Sequence, residues 1–448
     1  MLKQPDMLYR VLIIGAGPAG TGPIVCAAQQ GRLGQLLDSP ILIIDRAERM
    51  GSGTIGQYAI NSDTLGGTFL ECLEGQAAAI LGHVGESEPA QQIQAGRSGA
   101  VPLATVGNYM GLLGAALQQV IDRHPRSQFL PTTEARQVRR MADGTFESDL
   151  VVHHANQSIA LTVRSEAVVY AMGGSQNRAR ALDAEIVPGL NLWPYDQRIM
   201  LTNTVLSSAG TAEIQQRLAG VDDPQVVIIG GSHSALSSAW VLLNRLPNVH
   251  FREASITILH REKLKIFYPT REAALAAGYT DFTDDDFCPL TKRLYRLGGF
   301  RLDSRDLLMR IRGMVPGHEE RRVALQKLDP AADDPEVIRQ LLDRADLIVP
   351  AFGYRPNTIP IHAEDGQPID LLGNQPGALP LVDTECRLLD HAGQPIPGMY
   401  GIGLASGFKL SGSLGGEPSF RGQTNGLWLY QNGVGELILN RLIEAVPA

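Results

Sequence analysis

The sequence has few cysteines, and none is arranged for chemistry. Cys26, Cys72, Cys288 and Cys386 fall into no Cys-x-x-Cys or Cys-x-x-x-x-Cys spacing, so neither a zinc knuckle nor a redox-active disulfide is signalled. Cys26, on a predicted first helix, reads as a small buried hydrophobe. The ten histidines show no His-x-x-x-His spacing. His153 and His154 are adjacent on a predicted strand and face opposite ways, so no metal site is expected. No apolar run is long enough to span a bilayer. The first predicted strand begins near residue 8, so no leader peptide and a cytoplasmic location are expected. Positive charge is not in excess either. With 39 basic and 47 acidic residues the net charge is −8 and the pI about 5.7, which argues against a general nucleic-acid binder. A local basic pocket stays open. No catalytic triad or carboxylate pair stands out.

What is present suits a soluble globular chain. At 448 residues, 44% hydrophobic and 19% charged, it should hold two or three domains with ample core. The most informative stretch is Val11-Leu12-Ile13-Ile14-Gly15-Ala16-Gly17-Pro18-Ala19-Gly20. Four apolar, mostly β-branched residues read as a buried parallel strand. Gly-x-Gly-x-x-Gly follows, and then a small-residue run that reads as a helix. Gly15 allows the tight turn, Gly17 lets a pyrophosphate approach the backbone, and Gly20 lets the helix lie close on the strand. The helix N-terminus offers free N–H groups to phosphates. A second strand, Ile41-Leu42-Ile43-Ile44, ends at Asp45, whose carboxylate can accept from a ribose diol, and Arg46 follows it. Strand, turn, helix and acid together make a dinucleotide fingerprint.

Residues 51–61 form a glycine-rich, aperiodic loop beside that strand tip, and Gln57, Tyr58 and Asn61 are its polar candidates for lining a ligand. The spacing predicts helices over 64–82 and 106–123, the second with a stripe of Leu112, Leu113, Ala116, Val120 and Ile121. Residues 86–99 read as a surface loop. Residues 130–169 read as an antiparallel meander with turns at Asp143-Gly144 and Asn156. It closes on Ala171-Met172-Gly173-Gly174, where backbone can approach a ligand. Residues 196–220 read as a connector.

The opening pattern then recurs. Val226-Val227-Ile228-Ile229 precedes Gly230-Gly231-Ser232-His233-Ser234-Ala235, a predicted helix and the strand Ile256-Thr257-Ile258-Leu259. Two things change. Ser232 replaces the middle glycine and crowds the pyrophosphate approach with its Cβ, and the strand tip carries Arg261 instead of an acid. A cation there suits a ribose 2′-phosphate, so NADPH is favoured over NADH. The charged stretch 270–313 reads as solvated faces. Further strands are expected over 322–328 and 345–352. Gly401-Ile402-Gly403 follows a late strand that can return to the first sheet, and Gln423-Thr424-Asn425 lies at the start of a last helix whose N–H groups favour negative charge.

Two such modules, one nested in the other, resemble the two-dinucleotide-binding-domain flavoproteins, in which the first module holds FAD and the inserted one NAD(P)H. Gly15, Gly17, Pro18, Ala19, Gly20, Asp45 and Arg46 fall on the FAD fingerprint, Gly173 on an Ala-Thr-Gly-like segment, and Gly403 and Gln423 on the late FAD-contacting region. Gly230, Ser232, His233, Ser234, Ala235 and Arg261 fall on the NADPH side. Residues 351–357 resemble an Ala-Thr-Gly-Tyr-Arg-Pro-Asn segment. The fold implied is α/β, with two Rossmann-like three-layer domains. An FAD domain spans 1–205, with a helical insertion over about 61–125, and resumes over 346–448. An NADPH domain spans 222–345.

Disulfide reductases of this superfamily need a cysteine pair, which is lacking. The second motif and the helical insertion are similar to class B flavin-dependent monooxygenases of the N-hydroxylating type. The Phe-x-Gly-x-x-x-His signature of related branches is absent, and no segment aligns with the amino-acid-binding part of the lysine and ornithine hydroxylases. The resemblance implies an FAD- and NADPH-dependent monooxygenase acting through a C4a-(hydro)peroxyflavin on a soft nucleophile such as an amine. Its partners would be a small-molecule substrate and O2, with no nucleic acid and no membrane; self-association is left open. The same motifs serve an NAD(P)H-dependent reductase without a redox disulfide, or a non-catalytic FAD-holding redox sensor.

Overall fold

The computed structural model describes residues 2–4, 6–155, 157–377, 379–410 and 412–444; the expected turn residue Asn156 and the expected last helical residue, Ala445, lie outside them. Two parallel sheets carry the architecture. The first has six strands in the order Arg387–Leu389, Pro395–Gly401, Val168–Tyr170, Val11–Ile14, Ile41–Ile44, Gln128–Leu130. Only its edge pair, 387–389 with 395–401, is antiparallel. The second has four parallel strands in the order Val323–Lys327, Ile256–His260, Val226–Ile229, Leu347–Pro350. The inner strands are continuous apolar runs because helices cover both faces. The fold is thus α/β with two Rossmann-like domains. The second sheet takes in Leu347–Pro350, so it extends past the boundary expected at 345.

Chain order fixes where a ligand can sit. In the first sheet Val11–Ile14 is flanked by Ile41–Ile44 on one side and Val168–Tyr170 on the other, and the strand order reverses between them. In the second, Val226–Ile229 is flanked by Ile256–His260 and Leu347–Pro350 in the same way. Each reversal opens a crevice at the carboxyl ends of the strands. The chain leaves the first unit and returns to it through a two-stranded antiparallel ribbon, Gly174–Ser175 with Arg355–Pro356. Asn357 pins the crossing: its N–H donates to Gly173 O at 3.0 Å and its side chain to Met172 O at 3.0 Å.

The meander is present as Thr133–Arg140, Phe146–His154 and Gln157–Ser165, in a third, five-stranded sheet edged by Leu8–Tyr9 and Ile361–Ala363. The helical insertion departs from the expected pattern. The helix expected over 64–82 is broken into Gly66–Leu70, Ala78–Leu81 and short 3₁₀ turns, with Gly75 at φ +63° between them. Residues 86–99 are not a loop: Glu88–Ala95 is a helix capped by Ser87, and it buries Ala90 and Ile93. The long helix runs Leu103–Arg123 and buries Val106, Tyr109, Met110, Leu113, Leu117 and Ile121, whereas the expected stripe residue Leu112 is exposed. The expected connector holds two helices, Thr202–Val205 and Ser208–Arg217. The last helix is split at Asn432 into Leu427–Gln431 and Gly433–Ile443. No helix among the described residues is long and apolar enough to cross a membrane.

Candidate functional site

The first turn is built by contact with the strand across the crevice. Gly15 has φ +105°, and a Cβ there would stand 2.4 Å from Ala171 O; only glycine fits both demands. Gly20 is held as tightly, because its Cβ would meet Gly15 O at 1.8 Å. Gly17 differs. Its Cβ would meet only Gly53, at 3.5 Å, so two backbones face each other across a channel. The N–H groups of Gly17, Ala19 and Gly20 take no acceptor among the described residues, and Pro18 has none to offer. Orphan donors aimed around a turn that opens a helix are what a pyrophosphate needs.

Asp45 is held rigidly beside this turn. Its Oδ2 accepts from Ala16 N at 2.6 Å and its Oδ1 from Ala47 N at 2.7 Å, and each oxygen keeps a lone pair for a ribose hydroxyl. Arg46 is exposed next to it. The late turn comes back as expected in space: Pro395–Gly401 pairs with Val168–Tyr170, and a Cβ on Gly403 would lie 3.1 Å from Ala19 Cβ and 3.9 Å from Gly173 Cα. Asn425, in the amide orientation that satisfies both its ends, donates to Gly403 O at 3.0 Å. Beside it the Thr424 hydroxyl is buried without a partner.

The second turn repeats the first. Gly230 has φ +138°, and its Cβ would meet Ala351 O at 2.6 Å, matching Gly15 and Ala171. Ser232 precedes the helix His233–Asn244, and the N–H groups of residues 231–234 take no acceptor among the described residues. Ser232 is exposed, and its hydroxyl lies 3.0 Å from that of Ser234. Ala235 is buried under the sheet. The His233 ring packs on Phe300 at 5.0 Å, and burial pulls its pKa below the ordinary value.

A cavity of about 600 Å³ lies over this turn, lined among others by Gly230, Ser232, Arg261, Tyr354, Arg355 and Gln423. Arg261 donates through one nitrogen to Glu185 O (2.8 Å) and Ile186 O (2.9 Å), which holds its plane in place and leaves its other donors to a ligand. Arg180 also lines the cavity. Burial lowers the pKa of Arg355, and the Arg180 charge adds to that. The cationic wall therefore has three arginines, of which the sequence pattern had marked one. Gln423, expected on the FAD side, lines the cavity over the second turn together with Gly230 and Arg261.

The loop candidates separate. Tyr58 lies against Tyr354, whose pKa is raised by burial and then by Tyr58, so it reaches the start of the ribbon strand 355–356. Asn61 donates to Asp303 of the second unit at 2.8 Å and ties the two units together. Gln57 is exposed. The four cysteines are buried and unpaired.

No family model matches the sequence. The chain is similar to a CMP-5′-(3-aminopropyl)phosphonate hydroxylase from Streptomyces rubellomurinus, at 30% identity over 448 residues that cover 97% of each chain. Its fold is shared with solved N-hydroxylating enzymes. The ornithine N-hydroxylase of Kutzneria sp. 744, solved with reduced FAD, NADP+ and L-ornithine, superposes with a TM-score of 0.51 at 16% identity, covering 97% of this chain and 99% of that one. The cadaverine monooxygenase of the desferrioxamine pathway of Erwinia amylovora, solved with FAD, gives 0.53 at 11% identity, covering 99% and 97%. The ornithine hydroxylase of Pseudomonas aeruginosa in its reduced form gives 0.53 at 13% identity, covering 98% and 99%.

Proposed function

The chain belongs to the family of that phosphonate hydroxylase, and from this premise we propose that it is an FAD-dependent, NADPH-using monooxygenase that hydroxylates the amine nitrogen of a small molecule carrying a phosphonate or nucleotide group. The observation that carries the reading is the repeated turn: Gly15 against Ala171 and Gly230 against Ala351 build two dinucleotide cradles in one chain. Bound there, FAD and NADPH supply the reducing power and the oxygen activation.

The protein's own part is placement. The free N–H groups of Gly17, Ala19 and Gly20 hold the FAD pyrophosphate, and Asp45 holds the ribose. The N–H groups of residues 231–234 hold the second pyrophosphate. Arg261, fixed by two carbonyls, meets a 2′-phosphate. The ribbon 174–175 with 355–356 sets the two cradles at a fixed offset, and Tyr58 with Tyr354 fills the space beside it. The four cysteines are buried and unpaired, so a disulfide-reductase route lacks its cysteine pair; O2 is the acceptor of the activity proposed.

The test is oxygen uptake by the flavin-loaded protein with NADPH and CMP-5′-(3-aminopropyl)phosphonate, with ornithine, lysine and cadaverine as comparisons. The expected result is uptake stimulated by the phosphonate amine and matched by hydroxylamine product. Uptake that ignores every amine and ends as peroxide, or NADPH oxidation that runs on added quinone alone, would favour a reductase.

A further inference from the structure

Residues 408–410 and 412–424 take no part in the function proposed above, although they span both units. Their ends meet beside the flavin-side turn, where Thr424 N donates to Phe408 O at 3.0 Å. Between the ends, residues 414–419 lie on the second unit. Glu417, 4% exposed, accepts from the N–H groups of Leu297 and Gly298, each at 2.9 Å. Ser419 donates to Asp286 at 2.6 Å, and Arg296 to Leu414 O at 2.8 Å.

An open cavity of about 380 Å³ lies between this loop and residues 289–297, within the size range of small-ligand sites. Leu290, Leu297 and Phe420 give it an apolar wall. Lys409 and Arg421 also line it. Both are exposed, and neither has a hydrogen-bond or ion-pair partner among the described residues. Glu417 lines the cavity too, with its carboxylate turned onto the backbone N–H groups of Leu297 and Gly298 and paired with neither cation. The position is equally specific. Gly422 lines this cavity and its neighbour Gln423 lines the 600 Å³ cavity over the second cradle, so the two cavities are adjacent.

We propose that this smaller cavity seats the anionic end of the substrate, a nucleotide or phosphonate group, with phosphoryl oxygens on Lys409 and Arg421 and the nucleobase against Leu290, Leu297 and Phe420. The inference deepens the function proposed above and rests on it for the identity of the amine. Two free cations beside an apolar, aromatic wall are the recognition chemistry of a phosphorylated nucleoside. A small aliphatic diamine or amino acid would leave both the second cation and the wall unused.

The experiment is calorimetric titration of the FAD-loaded protein with CMP, on the wild type and on Lys409→Glu and Arg421→Glu, with NADPH titrated in parallel. The wild type should bind CMP, and each reversal should weaken it by roughly tenfold or more. In turnover the same variants should raise KM for the phosphonate amine far more than they lower kcat. A wild type that ignores CMP, or variants that bind it as the wild type does, would overturn the proposal. So would a parallel fall in NADPH affinity, which would assign the cavity to the nicotinamide dinucleotide. If CMP binding is lost in the variants while no amine is ever hydroxylated, the site stands and the proposed activity fails.

Discussion

Gly17 and Gly20 sit three residues apart and answer to different demands. A side chain on Gly20 collides with Gly15 O inside the fold, whereas one on Gly17 enters only the channel facing Gly53. Gly17→Val should therefore fold, with a melting curve close to wild type, yet purify colourless. Gly20→Ala should lose both the fold and the colour. A yellow Gly17→Val protein would mean that the pyrophosphate does not lie there. Arg261→Ala should raise KM for NADPH by roughly tenfold and leave NADH almost unchanged, because only the former carries the extra phosphate; equal effects would remove the basis for NADPH. Cys288 offers a pH test. Burial pushes its thiol up, but hydrogen bonds from Thr291, Gly416 N–H and Arg296 outweigh that and bring it down to about 6 from an ordinary 9.0. The folded state thus favours the thiolate. Its stabilisation is complete above the ordinary value and is lost as pH falls through about 6. The Tm gap between wild type and Cys288→Ala should be wide at alkaline pH and close progressively toward that value. A gap that does not vary with pH would contradict the thiolate.

At the scale of elements, what could be read from the sequence was whatever local pattern dictates. The two strand–turn–helix units were legible because buried parallel strands and glycine turns leave marks over ten residues. The helical insertion was less so. Residues 64–82 have helical spacing, but Gly66, Gly67, Gly75 and Gly82 break it into short turns. Residues 88–95 look like a polar loop because only Ala90 and Ile93 face inward, too few for a period. Ser87 was the available signal, since its hydroxyl accepts from Ala90 N; Ser87→Ala should cost about 1 kcal/mol in denaturant melts. The long helix misplaced Leu112 because part of its packing is made by glycine. A Cβ on Gly114 would meet Met50 O at 2.1 Å, and one on Gly107 would meet Gly56 at 2.4 Å, whereas Gly111 has nothing within 4 Å. Backbone against backbone leaves no hydrophobic mark in the sequence. Gly111→Ala should be neutral or stabilise by up to about 1 kcal/mol. Gly114→Ala should push the helix off loop 50–56 and lower both Tm and flavin retention. Equal effects of the two changes would contradict that packing.

At the scale of the molecule, the two units are joined at several places among the described residues. The ribbon 174–175 with 355–356 carries the chain across, Asn61 reaches Asp303, Arg245 reaches Ala59 O, and residues 414–419 reach residues 285–298. None of these joins follows from local periodicity, since each pairs residues more than a hundred positions apart. The cationic lining of the cavities was hidden for the same reason. Arg180, Arg355, Lys409 and Arg421 are scattered in sequence and meet only in the fold. The joins hold the two cradles at a fixed offset, and the account requires that hydride pass between their ligands. Anaerobic mixing of the flavin-loaded protein with stoichiometric NADPH, followed by visible absorbance, tests this most directly. The yellow colour should bleach, and more slowly in Arg261→Ala at low NADPH. A flavin that stays oxidised however much NADPH is supplied would contradict it.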